Sequence, residues 1–175
     1  MTVTRHFTAT GYMVHNGRVA LHWHKKVKTW LPAGGHIEEN EDPVQAVRRE
    51  IHEETGIEAE VLPYSPQFKI SYPTQVTAPF TIMVEDIHDP VRGFHQHIDL
   101  IYVCRPLGEP GPLAPGWQWI TKEQLTSGAE LLREDGVRIA PTEEIRVIAP
   151  YAIELAERLA GVQGWGGGFD KNSNI

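Results

Sequence analysis

The stretch GHIEENEDPVQAVRREIHEETGI, Gly35 to Ile57, decides how this chain is read. Asp42 is a natural N-cap, Pro43 suits the first helical position, and Gln45 stands where a capping-box partner would. Val44, Val47 and Ile51, with Ala46, form an apolar stripe, and Gly56 supplies a C-terminal stop. Together these signals predict a helix over 43–55.

The acidic residues of that helix are unusual in their placement. Glu50, Glu53 and Glu54 are spaced i, i+3, i+4, so their carboxylates project from one side. Like charges at this spacing cost a few tenths of a kcal/mol per pair, and the helix C-terminus is the wrong end for acids. A hard divalent cation would turn the liability into a site, because Mg²⁺ prefers carboxylate oxygens together with water and phosphate. Arg49 is placed to pair with and orient one of the carboxylates. On spacing alone, a merely solvated acidic helix face is the better reading.

Ahead of this stretch, Phe7 to Val14 and Val19 to His24 read as strands joined by a tight Asn16-Gly17 turn. A basic loop with Lys25, Lys26 and Lys28 leads into Trp30-Leu31-Pro32. Beyond it, strands are expected at 58–62, 68–71, 80–85 and 95–104, the last being the longest. Pro106 to Pro115 reads as a loop, Trp117 to Ile120 as a short strand, and Thr121 to Leu125 as a capped helical turn. A second helix is expected over 142–159, with Pro150 kinking or splitting it. One domain over 1–160 follows, and 161–175 is expected to be a flexible glycine-rich tail in which Trp165 and Phe169 are the docking candidates.

Composition narrows the partners. The chain has 175 residues, 41% hydrophobic and 22% charged, which fits one globular domain. Sixteen basic against 23 acidic residues, net −7, argue against a nucleic-acid polymer as partner. The single Cys104 excludes an internal disulfide and lies in an apolar run, so it reads as a small buried hydrophobe in a reducing compartment. No stretch approaches the ~20 apolar residues of a membrane span, and the first residues lack the apolar core of a signal peptide. A soluble cytoplasmic protein is the expectation.

Smaller constellations leave their roles open. His95, His97 and Asp99 alternate on the expected long strand and share a face, adjacent members ~6.6 Å apart and the outer two ~13 Å apart. They suit either a polar strand face or a cleft, as substrate contacts or auxiliary ligands. His22 and His24 form a similar pair beside the lysines. Trp30 suits either stacking on a base or ordinary core packing.

The residues Gly35, Glu41, Arg49, Glu50, Ile51, Glu53, Glu54, Gly56 and Ile57 satisfy the pattern G-x5-E-x7-R-E-U-x-E-E-x-G-U, where U is aliphatic. This pattern resembles the Nudix box at all of its fixed positions. Trp30-Leu31-Pro32 before it and the strand-turn-helix at Trp119 to Leu125 after it add support; Ala33 departs from the glycine more often found there. The resemblance implies an α/β (α+β) Nudix fold, a mixed β-sheet sandwiched between α-helices, with the box as a loop-helix-loop. It also implies hydrolysis of a nucleoside diphosphate linked to another group, with Mg²⁺ or Mn²⁺ as cofactor and a small nucleotide as substrate. Nucleoside triphosphates and ADP-ribose-like sugars are both candidates, with Pro73, sixteen residues past the box, a weak pointer to the second.

By position, Glu50, Glu53 and Glu54 resemble the family's metal ligands, joined by the carbonyl of Gly34. Gly35, Glu41 and Arg49 resemble its supporting residues. The general base is left open between Glu50, Glu53 and a distal acid such as Glu130 or Glu134 in the Ser127–Ile139 loop. Relatives are often dimers, which makes a homodimer an expectation. A non-catalytic nucleotide sensor and an isoprenoid-diphosphate isomerase are the alternatives. The intact box, with no cysteine near it and no attached DNA-binding domain, speaks against both.

Overall fold

The Asn16-Gly17 turn is where the sheet begins. In a computed structural model describing residues 3–161, both turn residues adopt positive φ, 48° and 68°, as a two-residue hairpin turn requires. The turn joins β1 (Arg5–His15) to β2 (Arg18–His24). β3 (Thr29–Leu31) and β4 (Ala33–His36) follow, pairing with β2 and β1 respectively. After the first helix, α1 (Pro43–Thr55), come β5 (Ala59–Val61), β6 (Thr81–Asp89) and β7 (Gly93–Pro106). The chain continues through β8 (Trp117–Thr121), α2 (Lys122–Thr126), a β9–β10 hairpin (Leu131–Leu132, Arg138–Ile139) and α3 (Glu143–Gly161).

β1 and β7 form the parallel centre, in register from Arg5↔Gln96 to Met13↔Cys104. β4 lies antiparallel to β1 and β6 antiparallel to β7, while β8 joins β2. Among the described residues the mixed sheet has eight strands, and its two faces are set by strand alternation. Tyr12, Val14, Ile101 and Val103 pack with Ile145, Ala149, Ala152 and Ile153 of α3. Ala9, Met13, Tyr102 and Cys104 pack with Ala46, Val47 and Ile51 of α1. The expected mixed sheet between helices is what forms. Gly11 permits the close approach of α1, since a Cβ there would stand 2.6 Å from Ile51 Cδ1.

α1 spans the expected 43–55. Asp42 Oδ1 accepts the N–H groups of Val44 and Gln45, Gln45 returns a bond to the Asp42 N–H, and Gly56 closes the helix at φ 75°. Thr121 and Gln124 make the same box at α2. Cys104 is buried, and loss of solvent pushes its thiol well above the ordinary range.

Three expectations need correction. No strand forms at Phe68–Ser71; residues 62–80 are irregular, and Phe68 and Ile70 are exposed. Four prolines, Pro63, Pro66, Pro73 and Pro79, interrupt the segment, and Gln75 serves its backbone instead of a neighbouring strand, accepting from the Phe68 N–H and donating to the Pro66 carbonyl. Pro150 does not split α3, which is a single helix of 19 residues. Its ring removes one backbone bond, and the buried face carrying Ile148, Ala149, Ala152 and Ile153 holds the helix together. The Ser127–Ile139 segment is not one loop, because it contains the β9–β10 hairpin.

The tail expected beyond the domain, with Trp165 and Phe169, lies outside the described residues. No described helix is long and apolar enough to cross a membrane.

Candidate active site

Arg49 organises the carboxylates of α1. Its Nε and Nη2 donate to the two oxygens of Glu41 at 2.8 and 3.0 Å, a bidentate clamp. Nη1 reaches Glu50 Oε1 at 2.7 Å and Glu53 Oε2 at 3.2 Å, and Nη2 also reaches the His36 carbonyl at 3.1 Å. Glu41 Oε2 accepts the Glu38 N–H, which ties the loop before α1 into the same network. The guanidinium hydrogen bond holds Glu41 below the ordinary carboxylate range, and Glu41 in turn raises Arg49.

β4 supplies the other wall. A Cβ on Gly35 would stand 2.4 Å from Glu50 Oε1 and 2.6 Å from its Cδ, so the carboxylate occupies the space a side chain would need. Glu50 is thus confined between Arg49 and the β4 backbone. Glu54 is half-buried, and its Oε2 has no hydrogen-bond partner. Burial first, then repulsion from Glu50 and Glu53, pushes its pKa up to about 7, with backbone hydrogen bonding from Gly34 opposing. Glu53 is the most exposed of the three.

The sequence-derived carboxylates therefore gather at one end of α1 beside Gly34 and Gly35. They do not yet converge: among the described residues, no three His, Cys, Asp or Glu side chains surround a single ion position.

The opposite sheet face carries the second group of candidates. The register sets Thr8 beside Asp99 and His6 beside His97. Asp99 is buried, and its Oδ1 accepts from Thr8 Oγ1 at 2.9 Å and Thr10 Oγ1 at 3.0 Å. Burial raises its pKa against those two bonds. Desolvation, then His36 and the neighbouring rings, lowers His97 to about 4. Glu85 is exposed overall, yet its carboxyl rises to about 7 through desolvation and then through Asp99 and Glu144. A cleft of about 440 Å³ lined by His6, Phe7, His36, Ile37, Pro43 and Leu100 opens on the α1 side of the sheet, where Leu100 and Ile37 pack with the α1 cluster.

Trp30 takes the core alternative. It is fully buried, with Nε1 donating to the Ile139 carbonyl at 2.9 Å and Trp23 edge-on at 5.7 Å. His22 stacks on Trp117 at 4.3 Å, and Lys26 pairs with Asp89 at 2.6 Å. Glu134 approaches Gly116 at the start of β8, while the Glu130 carbonyl accepts Arg138 in the β9–β10 hairpin. Sequence reasoning missed His6, His36, Glu85 and Glu144 as neighbours of the Asp99 face. Alternation of His6 with Thr8 and Thr10 was the signal for the first, but its pairing with a strand ninety positions away was not legible.

A family model described as a NUDIX domain matches residues 4–141. Among solved structures, a NUDIX-family hydrolase from Clostridium perfringens is 29% identical, with a TM-score of 0.68 over 88% of this chain and 99% of that one. A mutator MutT protein from Bacillus halodurans is 16% identical, with a TM-score of 0.52 over 85% of this chain and 82% of its own, which speaks to the fold alone. No curated protein matches the chain.

Proposed function

The chain belongs to the Nudix family and is a hydrolase of pyrophosphate bonds; we propose that it is metal-dependent and acts on a small nucleotide, with water attacking phosphorus. The observation that carries this reading is the Arg49-centred carboxylate network at the end of α1.

The donor set suits a hard divalent cation. Glu54 Oε2 is buried without a partner, and its carboxyl is crowded by two like charges. Oxygen donors lacking a counter-charge are what Mg²⁺ and Mn²⁺ take. Glu50, Glu53, Glu54 and the Gly34 carbonyl would hold the ion. When bound, it neutralises charge on the phosphate oxygens and makes bound water a better nucleophile.

The chain's own residues do the positioning. Glu41 fixes the plane of the Arg49 guanidinium, and Arg49 holds Glu50 and Glu53 together at the end of α1, which limits the freedom these carboxylates lose when ion and substrate arrive. Glu50 and Glu53 are the candidates to accept the proton of the attacking water. The intact, buttressed carboxylates also favour catalysis over nucleotide sensing.

The test is a panel of nucleoside triphosphates, oxidised triphosphates and ADP-ribose-type sugars, each with Mg²⁺ and with Mn²⁺. One class is expected to be cleaved to a nucleoside monophosphate plus the remaining phosphate-bearing product, and chelation with EDTA should abolish turnover. Binding of these nucleotides without any cleavage would favour the sensor reading and defeat this one.

A further inference from the structure

On the sheet face that also carries Asp99, four imidazoles meet. His6 comes from β1, His36 ends β4, and His95 and His97 lie two residues apart on β7. Ring centres are 4.9 Å apart for His36–His97, 5.1 Å for His6–His95, 5.2 Å for His95–His97, 5.4 Å for His6–His36 and 6.2 Å for His6–His97. In a tetrahedral imidazole site with metal–nitrogen bonds of about 2.0–2.1 Å, each ring centre stands about 3.2 Å from the ion and hence about 5.2 Å from the others. Five of the six ring pairs stand within about 1 Å of that spacing.

The polar atoms point the same way. His36 Nε2 and His97 Nε2 are buried without hydrogen-bond partners, so edge-to-face ring packing leaves both unsatisfied. His95 Nδ1 lies 3.1 Å from the Gly93 carbonyl. A proton on that nitrogen leaves Nε2 as the lone-pair donor, the arrangement in which a backbone carbonyl orients a metal-binding histidine.

We propose that His6, His36, His95 and His97 form a second cation site, distinct from the α1 carboxylates, that takes a borderline transition metal such as Zn²⁺, Co²⁺ or Ni²⁺. An all-imidazole set selects these over Mg²⁺, which prefers oxygen. The four rings do not yet point at one centre, so loading turns them about their χ angles. Arg92, exposed on the β6–β7 turn, is close enough to press electrostatically on His36 and His97, and it opposes a cation there.

The experiment is a Co²⁺ titration of the full chain, free of any affinity tag, in excess Mg²⁺ to occupy the carboxylates. Tetrahedral Co²⁺ absorption bands should develop with the first equivalent and be lost on adding Zn²⁺. By calorimetry, His36→Ala and His97→Ala should each weaken Zn²⁺ at least about tenfold, while Glu54→Gln leaves Zn²⁺ binding unchanged. His36→Gln and His97→Gln, which keep a polar side chain of similar bulk, should weaken Zn²⁺ likewise and decide the matter if an alanine variant loses its fold by circular dichroism. Absent bands, or Zn²⁺ affinity unchanged in the folded histidine variants, would overturn the proposal.

Discussion

Replacing Glu54 by Gln lowers kcat at least about a hundredfold, and Glu50→Gln does the same. Each substitution keeps the side chain's size and removes one formal charge from the place where cation and phosphate must be held together. A hundredfold loss corresponds to about 2.7 kcal/mol of transition-state stabilisation. An acid on a solvated helix face would change stability by no more than about 0.5 kcal/mol and kinetics hardly at all. The two readings of this helix therefore differ by far more than experimental error. Without metal, the Tm of Glu54→Gln should equal or exceed that of the wild type, because burial and repulsion from Glu50 and Glu53 both work against the native carboxylate. Activity within threefold of wild type in both variants would remove the metal site from this end of α1.

Gly35→Ala is expected to cost about ten- to a hundredfold in kcat through Glu50 alone. The new methyl would stand 2.4 Å from Glu50 Oε1, so the carboxylate has to move. Its freedom to do so is small, since Arg49 holds it at 2.7 Å and Glu41 holds Arg49 by two further bonds. Displacing a site group by about 1 Å is enough for a loss of this size. The backbone itself accepts alanine, because Gly35 is not in the left-handed region, and the Tm should fall little. Gly56→Ala is the control: φ is 75° and no atom lies within 4 Å, so stability falls by about 1 kcal/mol while kcat stays the same. Equal activity of Gly35→Ala and wild type would show that the Glu50 position is not critical.

What was legible in the sequence was local. Asp42, Pro43, Gln45 and Gly56 delimit α1 by hydrogen bonds spanning at most four residues, and Asn16-Gly17 sets its hairpin by its own backbone preference. The gathering of Glu50, Glu53 and Glu54 with Arg49 follows from helical spacing, and the clamp by Glu41 completes it from the adjoining loop. Strand pairing is not local. The parallel register of β1 with β7 brings His6 against His97 and Thr8 against Asp99 across about ninety positions, and β4 adds His36. No spacing rule contains that information. Phe68–Ser71 illustrates the reverse error, because alternating apolar residues resemble a strand whether or not a partner lies alongside. Trp30 was ambiguous for a related reason: its burial depends on Ile139, which approaches from more than a hundred positions away.

The central claim is that this carboxylate site directs water onto phosphorus. It is tested most directly by hydrolysing the best substrate of the panel in ¹⁸O-labelled water with Mg²⁺ and locating the label by mass spectrometry. The account predicts one labelled oxygen per turnover, carried on phosphorus in a phosphate product, with the signal at least about a hundredfold slower in Glu54→Gln. Label on a carbon-bound oxygen, or label entering phosphate at the wild-type rate in Glu54→Gln, would contradict it.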